Sequence, residues 1–383
     1  MDAPSHLPRS LLPALAAAWA FVCAAPDLLA WYPVQVGYAA GLALLGVAAF
    51  EARRGWRRPP NAVLALGALA LLIGVSLLWS RDPSATRGVA AHVGAEVLLL
   101  GVLSLTPRRE ALLRGLTLGV VAAALCLAGA FWLALFADAP QGRRLHLWGG
   151  DGNHQARAVL LGLLLWLGLE RRPKSAVGAG MIAMAAGLAG SRGAVLAGVG
   201  GLALLAWRPS KPLRAAAAVA VLGAVLGLFL PAARGDLRSP VEGLERGETK
   251  AFTSGRDAIW PNVLDIARDH PLLGVGAGAV PAVYTPYQEA RERRGGAHSK
   301  GSRDAHNLYL EVLASLGPLG LGLLLGALLL AWRAARAGPT LGPALVVFVA
   351  LSAGTVTCWQ QKGWWLALTL AVLSAPRPEA APR

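Results

Sequence analysis

The sequence predicts an all-α integral membrane protein with about twelve transmembrane helices and one large extramembrane loop. Three observations carry this. The 383 residues are 55% hydrophobic and only 15% charged, with mean hydropathy +0.52, whereas about a quarter of a soluble domain is charged. Apolar runs recur along the chain at lengths near the roughly 20 residues that cross a bilayer. The only long hydrophilic segment covers residues 231–305. A net charge of +15 would suggest a nucleic-acid partner in a soluble protein. Here the basic residues fall mostly in short linkers between apolar runs, which is a topology signal, so no nucleic acid is expected. Cys23, Cys126 and Cys358 are odd in number and lie in or beside apolar runs, so no disulfide framework follows. The first apolar run, from Leu11, is longer than a signal-peptide core and has no evident cleavage site, and is expected to be an uncleaved first span.

In chain order the expected spans lie near 11–30, 35–50, 61–79, 88–105, 111–136, 154–169, 175–190, 193–207, 213–230, 307–332, 341–357 and 363–375. The seventh and eighth are separated only by Ser191-Arg192 and could instead form a re-entrant pair. This divides the chain into an N-terminal bundle of about nine spans (1–230), the large loop (231–305) and about three C-terminal spans (306–383). Alternate short linkers hold eighteen basic residues on one side, among them Arg53, Arg54, Arg108, Arg109 and Arg171, and seven on the other. The richer side is expected to be cytoplasmic, with both termini, which leaves Arg192 and the large loop outside. Long translocated loops escape the charge rule, so the eleven Lys and Arg of 231–305 are consistent with that placement.

Within the loop, Ile259, Val263 and Ile266 fall at i, i+4 and i+7 with Trp260 alongside. This predicts an amphipathic helix from Asp257, capped by Thr253 or Ser254, ending before Pro271 and lying on the outer leaflet. The run Leu273-Gly274-Val275-Gly276-Ala277-Gly278 is either a loop that packs closely on the bundle or a phosphate-cradling turn, and no strand precedes it to favour the second. Arg192 stands between two apolar runs and needs an anionic partner or a wet cavity. It either snorkels to headgroups or offers its fork to a phosphate, and Arg256 admits the same two readings.

His306 lies where the loop meets the next span, within Arg303-Asp304-Ala305-His306-Asn307-Leu308. It is either an interfacial residue or a general base, since histidine is the residue type that exchanges protons near neutral pH. Asn307 or Asp304 would cap the helix, and Glu311, about one turn on, is expected to orient His306. His270 and His298 have less context. On the fourth span His92 and Glu96 share a face, as a functional pair or a helix-to-helix contact. Asn153 and His154, at an outer span entrance, are expected to support the same site. No acidic cluster suited to a divalent metal is apparent.

Three elements together resemble a known family. His306-Asn307, nine residues, Gly317, two residues and Gly320 is similar to the signature of the O-antigen ligase / O-antigen polymerase-like superfamily. Gly255-Arg256 through Trp260 to Asp269-His270-Pro271 and Gly276 resembles the end of that family's large periplasmic loop, and Ser191-Arg192-Gly193 resembles its arginine between spans. Gly149 to Gln155 is loosely similar to a further Gly and Asn-rich stretch, with Gln155 where another residue is usual. The resemblance runs from about residue 145 to 335; the first 140 residues match only in hydropathy.

The resemblance implies a GT-C-like glycosyltransferase of the bacterial inner membrane, working at the periplasmic face without cofactor or metal. The glycan would move with inversion from undecaprenyl pyrophosphate to a hydroxyl of lipid A-core. His306 would be the base, and Arg192 and Arg256 would bind the pyrophosphate. O-antigen or exopolysaccharide polymerases and protein O-oligosaccharyltransferases share the motifs, and the fully met His-Asn to Gly-Gly spacing favours the ligase. Gly317 and Gly320 would let helices or a lipid tail approach closely, with Pro318 near a helix start or kink. A lipid-linked glycan transporter also fits twelve spans. It would show internal repeats and midplane sites on broken helices, whereas no convincing repeat is found and the polar candidates cluster at the outer face.

Overall fold

A computed structural model describes residues 8, 10–26, 33–53, 58–136, 151–169, 176–207, 211–229, 256–296, 304–355, 357 and 361–376. Among these the regular structure is entirely helical. The helices are α1 (Leu11–Ala24), α2 (Pro33–Ala52), α3 (Asn61–Val75), α4 (Pro83–Leu105), α5 (Arg109–Phe136), α6 (Gly152–Leu169), α7 (Ala176–Leu188), α8 (Arg192–Ala206) and α9 (Lys211–Phe229). They continue as α10 (Arg256–Asp269), α11 (Val280–Arg293), α12 (Leu308–Ala335), α13 (Leu341–Ala353) and α14 (Lys362–Ser374). Thr253, Ser254, His298, Cys358 and Gly149 lie outside the described residues.

Every expected span coincides with a helix, but their lengths differ. Asn61–Leu78, α4, α5, α9 and α12 are long and apolar enough to cross a bilayer, which makes this an α-helical membrane protein. Apolar helices such as α1, α7, α8 and α13 are 13 to 15 residues long, about 20 Å at 1.5 Å per residue, against a hydrocarbon core of roughly 30 Å. The outward face of the bundle is lipid-like: Leu71 and Leu133 are more than 70% exposed, a surface that water would not tolerate over so long a belt. Inside, small residues bring backbones together. A Cβ on Gly223 of α9 would stand 2.2 Å from the Gly180 carbonyl of α7, and one on Gly119 of α5 would stand 2.1 Å from that of Ala17 in α1.

The two helices of the loop region form a small second core. Ile259, Val263 and Ile266 of α10 bury against Tyr284 of α11 and against Ala305 and Ala314: the spacing predicts this face, but it packs on the protein and not on the outer leaflet as expected. Fully buried Asn262 ties the pair together: its amide donates to the Tyr284 hydroxyl at 3.0 Å and its oxygen accepts from Arg291 Nε at 2.8 Å.

This unit is fastened to α12 through a kink. Gly317 has φ 66° and ψ −168°, a conformation open to glycine alone among the residues. Pro318 has no N–H, so the Ala314 carbonyl four residues earlier is left open. The glycine-rich run fills the gap: Val275 N–H donates to Ala314 O at 3.0 Å and Gly276 N–H to Ser315 O at 2.8 Å. Of the two readings of that run, the structure selects close packing, with no phosphate cradle. The expectation for Gly317 changes as well. What approaches it is the protein's own chain, since a Cβ there would lie 2.1 Å from the Leu272 carbonyl oxygen.

Candidate active site

Gly354 and Thr355, just after α13, gather the polar residues. α13 ends at Ala353, and the carbonyls that follow point to other elements. Gly354 O accepts from Asn307 Nδ2 at 3.1 Å, and Thr355 O accepts from the Arg256 guanidinium at 3.0 Å. The Thr355 hydroxyl donates to Ser352 O at 3.1 Å and accepts from Arg157 at 3.2 Å. The start of α8 lies on the same residue, because a Cβ on Gly193 would fall 2.6 Å from Thr355 Cβ. Ser191 caps that helix by accepting the Ala194 N–H at 3.2 Å, which places Arg192 in its first turn. Arg157 and Arg256 thus meet at Thr355, and the start of α8, with Arg192 in its first turn, packs on the same residue.

Arg157 is a residue that sequence reasoning missed. By sequence it is one of the seven basic residues of the poorer set of linkers, yet it is 7% exposed in α6 and also donates to Asn153 O at 3.2 Å. The intramembrane-arginine argument used for Arg192 applies to it unchanged. Asn153 is in turn held by Asp151, whose carboxylate accepts its backbone N–H at 2.9 Å and its side-chain amide at 3.0 Å. The His154 ring packs by Gly363 at the start of α14.

His306 is held differently from the sequence expectation. Its backbone has φ 46°, the left-handed region that few non-glycine residues occupy and where strain gathers at functional sites. Asn307 is the N-cap of α12, its side-chain oxygen accepting from Tyr309 N–H at 3.0 Å and Leu310 N–H at 3.2 Å. His306 therefore precedes the helix, and the helical spacing to Glu311 does not bring the two together. Glu311 is 1% exposed and turns inward, accepting Ala305 N–H at 3.0 Å and facing the Ser315 hydroxyl at 3.4 Å. The partner of His306 is Asp304, whose Oδ1 stands 2.8 Å from His306 Nδ1 and also accepts the His306 backbone N–H at 3.2 Å. Burial alone would raise the Asp304 carboxyl, but the hydrogen bonds and positive charge of His306, with the neighbouring Thr357 hydroxyl, outweigh it and hold the carboxyl below its ordinary value.

Other candidates stand apart. His92 and Glu96 of α4 share an electrostatic neighbourhood with Lys362 of α14, whose Nζ sits 4.1 Å over the Tyr38 ring. That favours the helix-to-helix reading of the pair. The arrangement around Thr355 combines two guanidinium groups with, nearby along the chain from Asn307, a histidine whose Nδ1 is anchored on Asp304, within an apolar bundle. Residues 177–325 match a family model described as O-antigen ligase. No curated protein matches the chain.

Proposed function

We propose that the chain, residues 177–325 of which match a family model described as O-antigen ligase, is a glycosyltransferase of the ligase type, moving a glycan from undecaprenyl pyrophosphate to a hydroxyl of lipid A-core. The reaction takes place at the periplasmic face of the bacterial inner membrane. Arg192 and Arg256 bind the pyrophosphate, and Arg157 joins them. Arginine matches phosphate oxygens with a rigid fork and keeps its charge at any working pH, so the leaving group's growing charge is met without a divalent cation. His306 takes the proton of the acceptor hydroxyl as its oxygen attacks the anomeric carbon. The bond to the pyrophosphate breaks from the opposite face, which inverts the centre, and the imidazolium then releases its proton to water. Each fixed donor contributes on the order of a hundredfold or more to turnover.

The observation that carries this reading is the shared residue Thr355, on which Arg157 and Arg256 converge and against which the start of α8 with Arg192 packs. The strained backbone of His306 supports it. The test incubates purified protein with carrier-linked glycan and one of three acceptors: lipid A-core, a second carrier-linked glycan, or a Ser-containing acceptor protein. Transfer to lipid A-core, lost in His306→Ala, is expected. Transfer to the second carrier alone overturns the ligase reading, and full transfer by His306→Ala removes the base.

A further inference from the structure

We infer that Asp304 is a positioning residue for the transfer reaction: it fixes His306 in the tautomer with the proton on Nδ1, so that Nε2 presents the lone pair to the acceptor hydroxyl. The inference rests on the reading of His306 as base and goes beyond it by naming what prepares that base.

A neutral imidazole has one N–H donor and one acceptor nitrogen, while an ionised carboxylate only accepts. The 2.8 Å separation between Asp304 Oδ1 and His306 Nδ1 therefore requires the hydrogen on Nδ1. The same oxygen also accepts the His306 backbone N–H at 3.2 Å, which locks the side chain of Asp304 against the residue it orients. An exposed ion pair would contribute little, but the tripeptide here is fixed at each residue. Ala305, fully buried, donates its N–H to Glu311 at 3.0 Å, and its carbonyl accepts from Trp260 Nε1 at 3.1 Å. His306 adopts φ 46°, and Asn307 caps α12 while reaching Gly354. Such a frame sets the direction of the His306 Cα–Cβ bond, and Asp304 then sets the rotation of the ring.

During transfer the acceptor O–H proton moves to Nε2, and the pair becomes imidazolium with carboxylate. Asp304 stays ionised and offsets the charge that the ring gains, and the proton leaves from Nε2. Its depressed carboxyl suits that part. Among the described residues, Glu311 on α12 bonds to Ala305 between the pair, and Arg256 on α10 and Arg157 on α6 meet at Thr355, next to the Gly354 carbonyl that Asn307 holds. All three are common to wild type and an Asp304 variant, so a difference between the two isolates Asp304.

The experiment compares wild type, Asp304→Asn and Asp304→Glu as full-length protein in nanodiscs. The uncharged amide can turn either its oxygen or its nitrogen to Nδ1, which frees the wrong tautomer. With both substrates saturating, Asp304→Asn is expected to lose on the order of a hundredfold or more in kcat, with the donor KM within a few-fold of wild type, and Asp304→Glu to recover part of the loss. The acid limb of the pH profile should move to lower pH, since the imidazolium has lost its counter-charge. A second readout needs no turnover: ring ¹⁵N resonances of His306, assigned by difference with His306→Gln, should show a protonated Nδ1 in wild type and a mixed ring in Asp304→Asn. Unchanged kcat, or an unchanged ring spectrum, overturns the inference. Should His306→Ala transfer normally, the base assignment fails, and the ring spectrum still decides whether Asp304 sets the tautomer.

Discussion

Replacing Gly317 by alanine tests how the outer helices are tied to the membrane bundle. The backbone there has φ 66° and ψ −168°, and forcing a residue with a Cβ into such a region costs about 1–3 kcal/mol. The added carbon would lie 2.1 Å from Leu272 O and 2.7 Å from Leu272 C, both rigid backbone atoms, so the 270–276 segment must move. That breaks the bonds from Val275 to Ala314 and from Gly276 to Ser315, each contributing about 0.5–1.5 kcal/mol. The sum is about 2–6 kcal/mol, enough to undock the segment while leaving the spans folded. Because α10 ends at this segment and begins at Arg256, Gly317→Ala should lose transfer while the detergent-solubilised bundle keeps its helical circular dichroism. Amide hydrogen exchange of Val275 and Gly276 should accelerate. Gly322→Ala is the control, since its Cβ would meet nothing within 4 Å, and it should be neutral or stabilising by up to about 1 kcal/mol. Equal behaviour of the two variants, with transfer intact, would refute the account of the kink.

Arg157→Lys keeps the charge but removes the fork that spans Thr355 Oγ1 and Asn153 O; steady-state transfer should fall roughly a hundredfold with little change in Tm. Arg109 donates to the carbonyls of Val372, Leu373 and Ala375 at the end of α14, so Arg109→Ala should lower stability by about 1.5–3 kcal/mol, read as a lower Tm in detergent, while specific activity of the folded fraction is kept. The folded Asp304 carboxyl lies below its ordinary value, so its contribution to stability is present above the unfolded carboxylate range, about pH 4, and is lost as pH falls through the lower folded value. A Tm series from pH 6 downward should show wild type losing an advantage over Asp304→Asn as acid is added.

What was legible in the sequence was whatever depends on period and composition. The twelve apolar runs mark helices to within a few residues at most ends, and Ile259, Val263 and Ile266 disclosed the buried face of α10. The candidate residues came from the cost of an arginine between apolar runs, Arg192, from the loop arginine Arg256, and from His306 at the loop junction. The frame of the site was not legible. Thr355 is a hydroxyl residue in a small-residue stretch, Ser352-Ala353-Gly354-Thr355, and hydropathy ran the span on to 357. The helix stops at Ala353; Thr355 N–H turns to Ser352 O, and the carbonyls of Gly354 and Thr355 go to Asn307 and Arg256, distant in sequence. Glu311 was expected to orient His306 by helical spacing, an argument that fails when the histidine precedes the cap and takes positive φ.

The placement of the charges has a physical logic that side chains alone do not express. Arg192 and Arg256 sit in the first turns of α8 and α10, Arg157 in the second turn of α6, and Asn307 caps α12; side chains from the starts of α6, α10 and α12 reach Gly354 or Thr355, on which the start of α8 also packs. Each helix N-terminus carries roughly half a positive charge; Ser191, Asp151 and Asn307 already take some of the first-turn N–H groups, and the dipoles add to the guanidinium charges in favouring an anion. A site built this way in an apolar bundle is weakly screened by solvent, which strengthens attraction for a diphosphate. It also spreads that attraction over backbone as well as side chains. Single arginine-to-alanine variants should therefore weaken donor binding without abolishing it, and a double Arg192, Arg256 variant should retain measurable binding of the carrier pyrophosphate while turnover is lost.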